Sequence, residues 1–476
     1  MAASTSSAAT LSVEFDTAMI SKYDRSGPRY TSYPTADRFS EDFDCASYLQ
    51  AVTALHARGA RPPLSLYVHI PFCDTVCYYC ACNKIVTHDR SKAATYLGYL
   101  KREIEMQGKL FAGHNEVEQL HFGGGTPTYL SDAQMEDLLQ HLRRWFSFAS
   151  DSTGEYAIEV DPRSVTPERI HSLRRQGFNR LSLGVQDFDP EVQKAVNRIQ
   201  PESQTREIIK AARDAGFRSI SIDLIYGLPK QTVMSMSQTL AKVIAANPDR
   251  VAIYNYAHLP HLFKPQRRIN EDDLPDADAK LSMLFLCIRR LTEAGYVYIG
   301  MDHFAKPGDE LAVAQSQGRL HRNFQGYSTH AESDLIACGV SAISAVGATY
   351  SQNAKTLDEY YDRIDRNELP IRRGHRLNMD DLVRRAVIQM LMCNFELSIT
   401  AIETAYPIIF NSYFAAELNK LRVMQADGLL VMDGEWISVT LKGRLLIRNI
   451  CMVFDRYLNQ AMPVNTSRLV RYSRAI

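Results

Sequence analysis

From Leu64 onward, short runs rich in β-branched and aromatic residues alternate with amphipathic stretches of helical spacing, and the runs tend to end in glycine or polar residues. A period of this kind leaves few folds open, because strands joined through helices lie parallel and the helices cover the sheet. The candidate strands are Leu64–Ile70, Gln119–Phe122, Glu155–Val160, Arg180–Leu183, Ser219–Ile225 and Val251–Tyr256. Six such units predict an α/β fold, a partial or full βα barrel. In barrels and doubly wound sheets the chemistry collects at the carboxyl ends of the parallel strands, which is where the unusual residues of this chain fall. Tyr296–Gly300, ahead of Asp302 and His303, and the Gly/Ala-rich stretch Ile336–Ala348 are candidates to extend the sheet. After about Asn378 the spacing turns helical, with Val423–Val439 reading as a two-stranded hairpin. The expected organisation is an arm over residues 1–60 packing across the barrel mouth, a barrel over 61–375, and a mainly helical C-terminal domain with a small wing over 376–476.

A chain of 476 residues exceeds one ordinary core, in keeping with a barrel plus a second unit. Lys plus Arg and Asp plus Glu stand at 54 each, so no global field exists to steer a polyanion or to hold the chain on an acidic membrane. A wing beside helices is a DNA-binding shape, yet no basic recognition helix accompanies it. No run reaches the roughly 18 apolar residues that span a bilayer. The stretch Met1–Thr10 is small and hydroxylated, but the first basic residue is Lys22 and an apolar core is missing, which argues against a secretory signal. Glu14 and Asp16 argue against a transit peptide. The expectation is a cytoplasmic chain, monomeric, with no nucleic-acid or membrane partner.

Of nine cysteines, four crowd between Cys73 and Cys82, while Cys45, Cys287, Cys338, Cys393 and Cys451 stand alone. That is the usage of a metal site in a reducing compartment, not of a disulfide framework. Cys73, Cys77 and Cys80 are spaced C-x3-C-x2-C directly after a strand that Pro71 ends. Three thiolates satisfy three irons of a [4Fe-4S] cubane and leave the fourth open to an external ligand. S-adenosyl-L-methionine chelates such an iron through its amino and carboxylate groups. The competing readings are a structural zinc site or a closed cluster with Cys82 as fourth ligand. No second paired ligand set lies nearby, and the two-residue separation of Cys82 from Cys80 would strain tandem ligation of one cubane.

The run Gly123, Gly124, Gly125, Thr126, Pro127 follows the second strand. Glycines allow backbone to approach a ligand, with carbonyls facing an ammonium and amides facing a carboxylate. A phosphate loop would need a Gly-Lys-Ser/Thr that is missing here, and a plain tight turn is the other reading. Later strand ends carry Glu159 with Asp161, Gln186 with Asp187, Arg198, and Asp223 before the Tyr226–Pro229 turn. Each alone reads as a cap or a solvated charge; their shared register makes a candidate site.

Taken together the chain resembles the oxygen-independent coproporphyrinogen III oxidase family. The resemblance is carried by Gly27–Ala36 (GPRYTSYPTA), Tyr67–Cys82 (YVHIPFCDTVCYYCAC), His121–Leu130 (HFGGGTPTYL), Gly184–Phe188 (GVQDF) and Asp223–Pro229 (DLIYGLP). It continues through Asn255–Pro260 (NYAHLP), Gly300–Ala305 (GMDHFA), His321–Tyr327 (HRNFQGY) and Gly443–Cys451 (GRLLIRNIC). It implies a partial (β/α)6 TIM-like barrel of radical SAM type, one [4Fe-4S] cluster on Cys73, Cys77 and Cys80, and two S-adenosyl-L-methionine molecules. The first would meet Tyr67, Gly124, Glu159 and Ile343. The second would meet Tyr79, Gly125, Thr126, Gln186, Arg198, Asp223 and Ala257. Tyr79 departs from the phenylalanine of the family member compared, and Cys82 matches a family cysteine that is not a cluster ligand.

The implied reaction converts two propionates of coproporphyrinogen III to vinyl groups, giving protoporphyrinogen IX. A 5′-deoxyadenosyl radical made from S-adenosylmethionine starts it, and an electron donor such as flavodoxin or ferredoxin reduces the cluster. No protein side chain is singled out as catalytic, since the difficult step belongs to the cofactors. Four propionates need local cations, for which Arg29, Arg322 and Arg474 are the candidates, each of which also reads as a solvated surface arginine. The haem-chaperone relative shares the cysteine motif, but Cys82-Asn83-Lys84 and the RYTSYP segment follow the oxidase pattern. A winged-helix redox regulator would explain the cysteines and the hairpin but not the glycine run.

Overall fold

A computed structural model describes residues 13–23, 25–59, 61–113 and 116–459. Six strands lie side by side and parallel in chain order: β1 (Leu64–Ile70), β2 (Val117–Gly124), β3 (Glu155–Val160), β4 (Arg180–Gln186), β5 (Ser219–Tyr226) and β6 (Arg250–Asn255). The limits of β1 and β3 agree with the sequence pattern. β2, β4 and β5 run further at their carboxyl ends, because parallel neighbours supply ladder partners for Gly123, Gly124 and Gln186 that periodicity does not reveal. Among the helices that follow are α1 (Ser91–Leu110), α2 (Asp132–Trp145), α3 (Pro167–Arg175), α4 (Glu202–Asp214), α5 (Val233–Ala246) and α6 (Ala277–Glu293). α2 shows how they form: Ser131 and Gln134 make a reciprocal capping box, and Met135, Leu138, Leu139 and Leu142 bury one stripe on the sheet.

The apolar stretch near Ile336 does extend the sheet. β7 (Asp334–Cys338) lies parallel to β1 on the side away from β2, and Ile343–Val346, Thr349–Asn353 and Ile371–Arg376 continue antiparallel beyond it. At the other end the hairpin of Val297–Gly300 with His303–Ala305 adds to β6. The sheet of 12 strands therefore ends in two different edges, a partial barrel. Its amino-terminal end is filled by a charged network: Arg180 reaches Glu155 and Glu310, Arg250 pairs with Asp309, and His330 faces Glu118 and Glu155.

The C-terminal region carries helices Met379–Asn394, Ala415–Ala426 and Ile447–Val453 around a three-stranded sheet of Glu396–Ser398, Trp436–Val439 and Leu430–Met432. The expected hairpin thus starts later than Val423, which completes a helix instead, and it gains a third strand from far along the chain. The N-terminal arm is fastened to this region: the Tyr30 hydroxyl donates to Asp455 at 3.0 Å, and Arg448 donates to the carbonyls of Gly27 and Pro28. Among the described residues no helix is long and apolar enough to cross a membrane.

Candidate functional site

The cysteine loop leaves β1 at Pro71 and is held at several points. Phe72–Cys73 pairs with Ile85–Val86, the Gly125 amide donates to Ile70 O and the Thr126 amide to Phe72 O, each at 2.8 Å. Tyr78 N donates to Val196 O at 2.9 Å, and Asn197 Nδ2 donates to Val76 O at 2.7 Å. These ties lay the loop across the carboxyl ends of β2, β3, β4 and β5. A cavity of about 230 Å3 lies beneath it, lined by Cys73, Cys77, Cys80 and Cys82, by Gly124, Gly125 and Thr126, and by Glu159, Gln186, Arg198 and Asp223. Tyr79, Lys84, Asp161, Arg163, Ser182 and Gly184 also line it.

The glycines are there because side chains do not fit. An added Cβ at Gly124 would stand 2.7 Å from His69 and one at Gly125 2.7 Å from Pro71 O. Gly124 also has φ +118°, a conformation that L side chains rarely adopt. Gln186 occupies the left-handed region at φ +69°, where the register of β4 on β5 shifts between Gly184 and Gln186. A non-glycine held there costs about 1–3 kcal/mol and is the kind of strain that collects at ligand sites.

Each cysteine has a different neighbourhood. Arg198 Nη1 and Arg163 Nη2 donate to Cys77 Sγ at 3.4 and 3.5 Å, and both guanidiniums also hold Asp161, at 3.1 and 2.7 Å. The Thr126 hydroxyl donates to Cys73 Sγ at 3.5 Å. A hydrogen bond from Cys82 and the charge of Lys84 bring the Cys80 thiol down to about 5, while burial pushes Cys73 up to about 11. Among the described residues no three His, Cys, Asp or Glu side chains converge on one ion position. Hydrogen-bond donors aimed at thiolate sulfur and glycine backbone open to a small ligand fit an iron–sulfur cluster with S-adenosylmethionine beside it.

Across the cavity, burial and the charge of Glu159 raise the Asp223 carboxyl to about 7, and Ser182 Oγ donates to it at 3.0 Å. Glu159 is fixed by His121 Nε2 at 3.0 Å and by the Gly124 amide at 3.3 Å. Burial opposes ionisation of Asp161, yet Arg198 and Arg163 hold it below the usual carboxylate range.

Of the other expected residues, Tyr67 stacks on His121 with ring centroids 5.8 Å apart and lies within electrostatic reach of Glu159. Ala257 and Tyr79 are joined through Gln266, whose Nε2 donates to both carbonyls. Ile343 packs on the cluster of Phe39, Tyr350 and Leu377. Arg29 pairs with Asp302, and Arg322 is only 3% exposed, so neither is a solvated surface arginine. Arg474 lies outside the described residues. Sequence reasoning missed Arg163, Ser182 and Lys84 as wall residues; Arg163 alone left a signal, two positions after the strand-end carboxylate Asp161.

Residues 67–243 match the Radical SAM superfamily and residues 377–446 the HemN C-terminal domain. The chain is 53% identical over 458 residues to the oxygen-independent coproporphyrinogen III oxidase of Pseudomonas aeruginosa, covering 96% of this chain and 99% of that one. It is 52% identical to the Escherichia coli enzyme of the same name, over 98% and 99% of the two chains. The solved structure of coproporphyrinogen III oxidase (HemN) from Escherichia coli, described as a radical SAM enzyme, superposes with a TM-score of 0.89 at 51% identity, covering 94% of this chain and 99% of that one.

Proposed function

The chain belongs to the oxygen-independent coproporphyrinogen III oxidases of the radical SAM superfamily, and on that premise we propose how its own residues divide the work. It is an oxidoreductase that decarboxylates two propionates of coproporphyrinogen III to vinyl groups. The observation that carries the reading is the cavity in which Cys73, Cys77 and Cys80 share a wall with Gly124, Gly125, Glu159 and Asp223. When bound, the [4Fe-4S] cluster and S-adenosylmethionine supply the carbon-centred radical that starts the reaction.

Everything else is positioning. Cys73, Cys77 and Cys80 would hold the cluster. Tyr67, Gly124, Glu159 and Ile343 would meet one S-adenosylmethionine; Tyr79, Gly125, Thr126, Gln186, Arg198, Asp223 and Ala257 would meet a second. The acidic pair Glu159 and Asp223 suits ribose hydroxyls, and Arg198 suits a carboxylate. Asp223, raised to about 7, is in part a hydrogen-bond donor at neutral pH. Arg29 and Arg322 are assigned to substrate carboxylates. A small one-electron carrier such as flavodoxin or ferredoxin would reduce the cluster, working on a monomeric chain in the cytoplasm.

The test is anaerobic reconstitution, then incubation with S-adenosylmethionine, a reductant and coproporphyrinogen III, scoring 5′-deoxyadenosine and decarboxylated porphyrin by mass. Both products are expected, and both vanish in Cys77→Ser. Deoxyadenosine without a porphyrin product would leave the cluster chemistry standing and remove the substrate assignment.

A further inference from the structure

Tyr254 is reached by two opposed sets of charges: burial dominates its raised pKa, Asp223 and Glu159 raise it further, and Arg29 and Arg322 lower it. Asp223 and Glu159 line the cysteine cavity. The Arg322 guanidinium stands 4.7 Å over the Tyr327 ring, and that of Arg29 5.9 Å over the Tyr254 ring. Arg448 is close enough to both for its pKa to be held down to about 9, by burial first and then by Arg29. Asp302 pairs with Arg29.

Arg322 is the anomaly. It is buried, and its Nε and Nη1 have no hydrogen-bond partner among the described residues. Taking a charge out of water without a partner costs several kcal/mol, and chains do not keep such a cost in a core unless something answers it. Beside it His303 Nδ1 is likewise buried and unpartnered, its ring edge-on to Tyr254 and Tyr327 at 5.9 and 5.2 Å. Burial and the neighbouring arginines keep that imidazole neutral.

We propose that Arg322, with Arg29 beside it, binds a propionate that the reaction leaves intact, and that His303 Nδ1 contacts a pyrrole N–H of the same macrocycle. The proposal rests on the coproporphyrinogen reading and deepens it. Two of four propionates survive the reaction, so a grip on a surviving carboxylate serves both decarboxylations, whereas a grip on a reacting one is lost when its carbon dioxide leaves. A planar guanidinium takes a carboxylate through two parallel N–H donors, and the low dielectric around Arg322 strengthens that pairing. A neutral imidazole adds no charge to a compartment already rich in cations.

The experiment uses the reconstituted holoenzyme and coproporphyrin III, the air-stable four-carboxylate macrocycle, as a fluorescent probe. Arg322→Met is expected to weaken probe binding tenfold or more and to release once-decarboxylated product that the wild type carries through. Arg322→Lys is expected to recover part of the affinity. Because Arg322→Met removes an unanswered buried charge, it should also raise the thermal midpoint, where a purely structural arginine would lower it. Wild-type probe affinity in Arg322→Met, or a lowered midpoint with an unchanged product ratio, would overturn the proposal. Turnover by the wild type tests the family reading separately: if the unaltered enzyme forms no vinyl product, it is the substrate assignment that fails.

Discussion

Gly125→Ala adds a single methyl group at the join between the glycine run and the cysteine loop. Its Cβ would stand 2.7 Å from Pro71 O, 2.8 Å from Phe72 O and 2.8 Å from the Pro71 carbonyl carbon, all of them backbone. Pro71 O already accepts from the Ile85 amide at 2.7 Å and Phe72 O from the Thr126 amide at 2.8 Å, so any retreat lengthens bonds that hold the loop. Overpacking of this kind costs about 1–3 kcal/mol, and a weakened hydrogen bond about 1 kcal/mol. The two carbonyls belong to the two residues ahead of Cys73, so the strain is relieved by tilting the loop. If about 2 kcal/mol of it falls on the bound state, S-adenosylmethionine affinity drops roughly thirtyfold. The assay is equilibrium dialysis of S-adenosylmethionine against reconstituted protein of matched iron content. The control is Gly98→Ala in α1, where nothing lies within 4 Å of the new Cβ; an alanine at this exposed position of the helix should stabilise by about 0.5–1 kcal/mol and leave affinity unchanged. Full iron content and S-adenosylmethionine affinity within about twofold of wild type in Gly125→Ala would refute the reasoning.

Arg163→Met withdraws one of the two guanidiniums donating to Cys77 Sγ, which should move the cluster's reduction potential to more negative values in an EPR-monitored titration, while Asp161→Asn should move it the opposite way; shifts of the same sign would contradict the assignment. Glu103 is buried beneath β7, accepting from Gly339 N, Asn353 Nδ2 and Tyr360 Oη, and burial raises it to about 7. The folded state then holds its proton more tightly than the unfolded state, so its contribution is complete below about pH 4.5 and is lost, by about 3 kcal/mol, as pH rises to about 7. Urea midpoints of Glu103→Gln should lack that slope, and a slope matching the wild type would show that another group titrates. Arg29→Ala should raise the KM for coproporphyrinogen III while the cluster's absorbance stays intact; an unchanged KM removes Arg29 from the substrate site.

Much of the architecture is legible in the chain because its signals are local. The βα alternation, the proline that ends β1 and the three-cysteine spacing each depend on residues a few positions apart. From these alone follow a parallel sheet, a loop of thiolates at its carboxyl end and carboxylates in register beside it. The motifs spread from Gly27 to Cys451 add the family. What a sequence does not display is distance. That Asp334–Cys338 lies parallel to β1, that α1 lends Glu103 to Asn353 across 250 residues, and that a strand near Glu396 completes the wing are outcomes of global packing. The same holds for charge. Arg163 and Arg322 look alike as letters, yet the fold sets one between Asp161 and Cys77 and leaves the other buried with Nε and Nη1 unanswered. Whether a buried cation has a partner is decided by elements brought together from the whole chain, and only the tertiary structure decides it.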